Sequence, residues 1–214
     1  MPDLHEHQHG HDHAHPHAPP QPDEKIHSYF QLLGLAMKEL LIEKGVFTAE
    51  EMRAAIEARD AIEPAQGARV VARAWSDPAY KARLLADGPA AVREMGIDPG
   101  ETHLIVVENT PQLHNVIVCT LCSCYPRQII GLPPSWYKSR EYRARIVREP
   151  RAVLKEFGTE LPEHVELRVH DSTADMRYLV LPMQPSGSEG AGPDALAALV
   201  TRDCMIGVTV PKLG

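Results

Sequence analysis

Four short runs of β-type residues, "HLIVVEN", "HNVIVCT", "ELRVHDS" and "RYLVLPM", constrain this chain most, because they are few, late and interrupted. They begin only at residue 103, after a first half with the periodicity of helices. Two further helical patterns, "SREYRARIVRE" and "PRAVLKEFG", stand between the second run and the third. Segregated helices and strands predict an α+β fold, with N-terminal helices packed on a small layered β-sheet core of the four-layered α-β-β-α type. In the helical half, "IHSYFQLLGLAMKELLIEKG" is apolar on nearly every face and stops at Gly45, so it calls for a partner surface. Thr48 and Glu51 form a capping-box signal opening "AEEMRAAIEARDAI". "GARVVARAWSD", "PAYKARLLADG" and "PAAVREMG" then read as short helices punctuated by glycine and proline, and one last helix, "DALAALVTRDCMIG", is expected to close the chain.

Residues 1–22 place histidine at positions 5, 7, 9, 11, 13, 15 and 17 and end in prolines, so no core can form there and a disordered tail is expected. The tail reads equally as a metal-capturing segment or as a solvated, tag-like leader. With a net charge of −7 and no basic stripe interleaved with aromatics, the chain lacks the electrostatic footprint of a nucleic-acid partner. No apolar run approaches the roughly 18 residues of a spanning helix, and the start lacks a signal-peptide pattern, so a cytoplasmic protein is expected.

In such a compartment thiols stay reduced, which gives weight to "VCTLCSCYP". Cys119, Cys122 and Cys124 are three of only four cysteines, set where a buried strand runs into a loop. That spacing can bring three sulfurs to one ion. A structural zinc site or an iron–sulfur cluster needs a fourth ligand, and only His114 and Cys204 are on offer, neither in a pair. The backbone amides of Ser123 and Cys124 lie between the sulfurs and could complete a square plane on a strongly Lewis-acidic ion, leaving one octahedral position open for chemistry. Cys204 reads as a small buried hydrophobe, His114 as a strand-entry residue, and His170 and Trp75 as packing or interface residues.

"VCTLCSCYP", together with "GLPPSWYKSREYRARIVREPRAVLKEFG", "RYLVLP" and "LVTRDCMIGV", resembles the α subunit of nitrile hydratases from about residue 26 to the end. Thr120 and Tyr125 resemble the cobalt type. The resemblance implies one Co(III) per chain, with Fe(III) the alternative. Its metal ligands would be Cys119, Cys122, Ser123 and Cys124, with Cys122 as sulfinate and Cys124 as sulfenate. It assigns catalytic roles to Cys124 and Ser123, hydration of a nitrile to its amide, a β-type partner subunit and a cobalt-loading activator protein. The attacking oxygen would come from the Cys124 sulfenate or from metal-bound hydroxide.

Two positions depart from that pattern. The family usually has tryptophan after "CYP", where this chain has Arg127, and its glutamine-bearing loop before the first strand is here "GIDPGETH". Arginine at that position is similar to the cobalt subunit of thiocyanate hydrolase, the alternative reading. A nitrile hydratase with a larger polar substrate, such as a nitrile-bearing nucleoside, reconciles both observations, with Arg127 and Tyr125 lining the substrate pocket. A further alternative is a metal-trafficking protein without catalysis. The expected organisation is a tail at 1–22, a helical arm and helices at 23–100, and an α+β metal-binding catalytic domain at 101–214.

Overall fold

The structure, a computed structural model, describes residues 28–213, so the expected disordered tail lies outside the described residues. The chain divides into two compact units, Met1–Met52 and Arg53–Gly214. In the first, α1 (Tyr29–Glu43) is opened by a capping box in which Ser28 and Gln31 satisfy each other's backbone amides. No residue of α1 is buried, and Tyr29 and Phe30 are 73% and 79% exposed. The helix α2 (Ala49–Asp60), which carries the unit boundary, starts at the expected box: the Thr48 amide donates to the Glu51 carboxylate at 2.7 Å, and the Glu51 amide to Thr48 Oγ1 at 3.1 Å.

The second unit opens with α3 (Pro64–Ser76), α4 (Pro78–Ala86) and α5 (Gly88–Arg93), each with proline in its first turn, where the missing N–H costs nothing. Asp77 and Asp87 cap α4 and α5 by accepting from the amides three residues on. The four expected strands are β1 (His103–Glu108), β2 (Leu113–Val118), β3 (Glu166–Asp171) and β4 (Met176–Leu181). They form two parallel pairs, β1 with β4 and β2 with β3. Between β2 and β3 run α6 (Arg127–Ile130), α7 (Ser135–Lys138), α8 (Arg140–Arg145) and α9 (Pro150–Glu156). The core gathers the inner face of α3, the second half of β2 (Val116, Ile117 and Val118), the end of β4 and the aromatic rings of Tyr137 and Tyr142.

One sequence expectation is corrected here. "DALAALVTRDCMIG" is two helices, α10 (Pro193–Ala198) and α11 (Arg202–Ile206), because the Thr201 side chain accepts from the Cys204 amide and starts a new helix. A β-branched hydroxyl residue competes for backbone groups inside a helix and favours this capping role.

Behind the strands lies a polar network. The His114 Nε2–H donates to the Gly207 carbonyl at 2.7 Å, which leaves Nδ1 to accept from Asn109 at 3.2 Å. Asn109 Oδ1 takes the Asn115 amide, and Asn115 Oδ1 takes the His170 Nε2–H at 2.8 Å. Burial holds the His114 imidazole below its ordinary pKa, so it is a neutral strut between β2 and the end of α11. His170 also packs on the Tyr178 ring, and Trp75 donates to the Pro182 carbonyl at 2.8 Å.

Candidate metal centre

The strand β2 ends at Val118 with no exposed surface, and the next residue, Cys119, is itself buried. The chain then turns outward, which brings Cys122 to the surface and leaves Cys124 half-buried. The Cys122 sulfur lies 3.3 Å from that of Cys119 and 3.2 Å from that of Cys124, and all three lie within 4.8 Å of one another. At a metal–sulfur bond of about 2.3 Å, two sulfurs at right angles sit about 3.3 Å apart and two at the tetrahedral angle about 3.8 Å. The two separations match adjacent corners of a square plane or octahedron. His114 and Cys204, the two conceivable fourth ligands, are engaged elsewhere. Cys204 is buried beside the hydroxyls of Thr201 and Thr209, at 3.2 and 3.3 Å.

Side chains distant in sequence hold this loop at both ends. The Asp171 carboxylate, at the end of β3, accepts from the Thr120 amide at 2.9 Å and its hydroxyl at 2.5 Å. Arg143 of α8 donates to the Thr120 carbonyl at 3.2 Å, and the Tyr137 hydroxyl of α7 to the Cys124 carbonyl at 2.9 Å. Parallel pairing explains the first clamp: Val118 is in register with Asp171, so both strands deliver their ends to one place. None of these three residues carries a local motif, and sequence reasoning missed them.

The thiols differ in acidity. Hydrogen bonds from Cys124 and then Cys119, with smaller help from the Cys124 and Ser123 backbone, bring the Cys122 thiol down to about 7. Burial pushes the Cys124 thiol up to about 12. The loop thus offers one thiolate near neutrality, and a cation that displaces the other protons gains two more ligands.

Beside the loop is a cavity of about 480 Å³, walled by residues 99–102 before β1, by 122–129, and by Leu132, Pro133, Lys138, Arg59 and Arg177. Cys122, Ser123 and Cys124 share that wall with Tyr125 and Arg127. The Tyr125 ring is buried edge-on to Tyr137, with its hydroxyl 3.5 Å from the Ile130 carbonyl. Arg127 opens α6, and its guanidinium meets Asp60 at 3.3 Å while its Nε has no hydrogen-bond partner among the described residues. Sequence reasoning also passed over Arg59, Glu101, Gln128, Lys138 and Arg177; the "PGET" loop before β1 was noticed only for its missing glutamine.

Three convergent sulfurs, two of them in the wall of a cavity on a mixed helix and sheet scaffold, form a group that could hold a metal ion. The family model "Nitrile hydratase, alpha chain" matches residues 28–209. Over 194 residues the chain is 47% identical to the cobalt-containing nitrile hydratase subunit alpha of Pseudonocardia thermophila, covering 89% of this chain and 95% of that one. It is 46% identical over 207 residues to the thiocyanate hydrolase subunit gamma of Thiobacillus thioparus, covering 91% and 85%. A solved structure of a doubly substituted Fe-type nitrile hydratase from Comamonas testosteroni Ni1 superposes with a TM-score of 0.77 at 47% identity, over 85% of this chain and 90% of that one. The chain belongs to the nitrile hydratase alpha-chain family.

Proposed function

We propose that this chain is the metal-binding α subunit of a cobalt nitrile hydratase, adding water to a nitrile to give the amide. The carrying observation is the pair of sulfur separations, 3.3 and 3.2 Å, held in the wall of a cavity. Cys119, Cys122 and Cys124 would hold the ion together with the Ser123 and Cys124 amides, with Cys122 as sulfinate and Cys124 as sulfenate. Bound there, cobalt supplies a Lewis acid that makes the nitrile carbon open to attack by water. The chain's own groups do the rest. Cys119 anchors the site from the buried side, Asp171, Arg143 and Tyr137 fix the loop, and the cavity wall with Tyr125 and Arg127 orients the substrate. Cobalt over iron is supported by Thr120 and Tyr125 and by the cobalt-containing relative from Pseudonocardia. The exposed apolar α1 supports a β-type partner subunit, and a cobalt-loading activator belongs to the same reading. Among the described residues no helix is long and apolar enough to cross a membrane; a cytoplasmic enzyme, with residues 101–214 as the catalytic portion of a four-layered core, completes the reading.

The test is intact-mass and metal analysis of the chain purified with its partner, alongside amide formation from a nitrile. Tightly held cobalt with three added oxygens, and loss of metal and hydration in Cys119→Ala, Cys122→Ala and Cys124→Ala, is the expected result. Exchangeable metal on unmodified thiols, with no amide formed, would establish a metal carrier instead.

A second reading, hydrolysis of thiocyanate, is favoured by the cavity's charge. Arg59, Arg127, Lys138 and Arg177 line it against Glu101 alone, an arrangement suited to a small anion. Thiocyanate consumption that exceeds nitrile hydration by the same preparation would select it.

A further inference from the structure

Gln128 contributes the only carboxamide among the residues lining the cavity that holds Cys122 and Cys124. It is the second residue of α6, directly followed by Ile129 and Ile130, which are 1% and 0% exposed and lock the backbone into the core. Its own side chain is half-buried, and none of the hydrogen bonds among the described residues involves its carboxamide. One side of its stem runs beside Gly100, at φ +76°, and a Cβ there would press on the Gln128 Cγ at 3.3 Å. A left-handed backbone at position 100 suits glycine, and the missing Cβ leaves the glutamine its room. A core-anchored backbone with an unpaired polar head, lining the same cavity as Cys122 and Cys124, suits a recognition group.

A carboxamide presents an N–H donor beside a C=O acceptor in one plane, and is matched by a group with the opposite order: an amide, or an amino group next to a ring nitrogen. We propose that Gln128 is a specificity-determining residue that receives such a donor–acceptor edge on the substrate and so directs the nitrile of the same molecule toward the cysteine loop. The proposal rests on the nitrile hydration reading and names its substrate class, polar amide- or aminoheterocycle-bearing nitriles. A nitrile without that edge leaves the carboxamide dehydrated and unpaired, which is how a polar site discriminates against an apolar competitor.

The experiment compares the metal-loaded complex of wild type with Gln128→Met, which keeps length and removes both polar atoms. Two nitriles are assayed, a cyano-substituted 2-aminopyridine and benzonitrile, and the binding of 2-aminopyridine itself is measured by calorimetry, independently of turnover. At equal cobalt content, the ratio of kcat/KM for the aminopyridine nitrile over benzonitrile should fall about five- to tenfold, mainly through KM, as loss of one or two neutral hydrogen bonds implies. The 2-aminopyridine affinity should fall by a similar factor. An unchanged ratio, equal losses for both nitriles, or unchanged 2-aminopyridine binding would overturn the assignment. Wild type that binds 2-aminopyridine through Gln128 yet hydrates neither nitrile would instead overturn the hydration reading and leave the recognition role supported.

Discussion

Replacing Tyr137 with phenylalanine removes a single O–H from beneath the metal loop. The ring is fully buried and packs edge-on to Tyr125 at 5.1 Å and against Tyr142 at 5.7 Å, contacts that phenylalanine keeps. What is lost is the 2.9 Å bond to the Cys124 carbonyl. Burial raises the phenol's pKa well above its ordinary value, so the hydroxyl is an un-ionised donor throughout the neutral range and the effect should not vary between about pH 6 and 9. Leaving a part-buried carbonyl without its donor costs about 1–2 kcal/mol. For a unit of this size that lowers Tm by about 2–8 °C. If Cys124 binds cobalt as proposed, the bond holds the peptide next to its sulfur and part of the cost should fall on the metal: cobalt affinity weakens by about three- to tenfold, and Tm falls further in the loaded than in the metal-free protein. Thermal scans of both forms and a chelator competition measure these quantities. Equal Tm losses with unchanged cobalt affinity would show that the hydroxyl supports helix packing and does not shape the site.

Arg127→Trp replaces a guanidinium by an apolar wall and should shift preference from anionic or acceptor-rich substrates toward apolar nitriles by about 1–3 kcal/mol, read as kcat/KM ratios at equal cobalt; parallel changes for all substrates would refute a reading role. Gly207→Ala should destabilise by about 3 kcal/mol or more in urea unfolding, since Gly207 sits at φ +90° and a Cβ would overlap the Asn115 carbonyl oxygen; a loss under about 1 kcal/mol would contradict the close approach. In the metal-free protein, iodoacetamide should modify Cys122 first, with a half-maximal rate at about pH 7, because its lowered pKa supplies thiolate above that pH, while Cys124 with a pKa of about 12 stays slow. Peptide mapping that finds Cys124 labelled first, or a midpoint near 9, would refute the ordering.

Residues with local signals were legible in the sequence. All four strands coincide with β-branched runs, Thr48 and Glu51 form their box, and the three cysteines converge as their spacing allows. The missed features depend on partners far along the chain. Parallel pairing of β2 with β3 leaves no mark in either strand, so the clamp of Asp171 on Thr120 could not be read from "VHDS". The helices α6 and α7 are four residues each, too short to show a period, yet they carry Gln128 and Tyr137. His114 has the pattern of a strand-entry residue; its partners on Gly207 and Asn109 exist only once β2 meets the end of α11.

The two parallel pairs also order events in time. His103 is registered with Met176 and Leu113 with Glu166, so each pair closes a long loop, and such pairings form late because their entropy must be met before any contact is gained. A growing chain that has emerged through residue 165 already displays all three cysteines but possesses neither β3 nor Asp171. The thiols then lie on a loop whose anchor has not been synthesised. The cysteine loop therefore gains its Asp171 clamp only after residues 166–171 have been added and β3 has paired with β2.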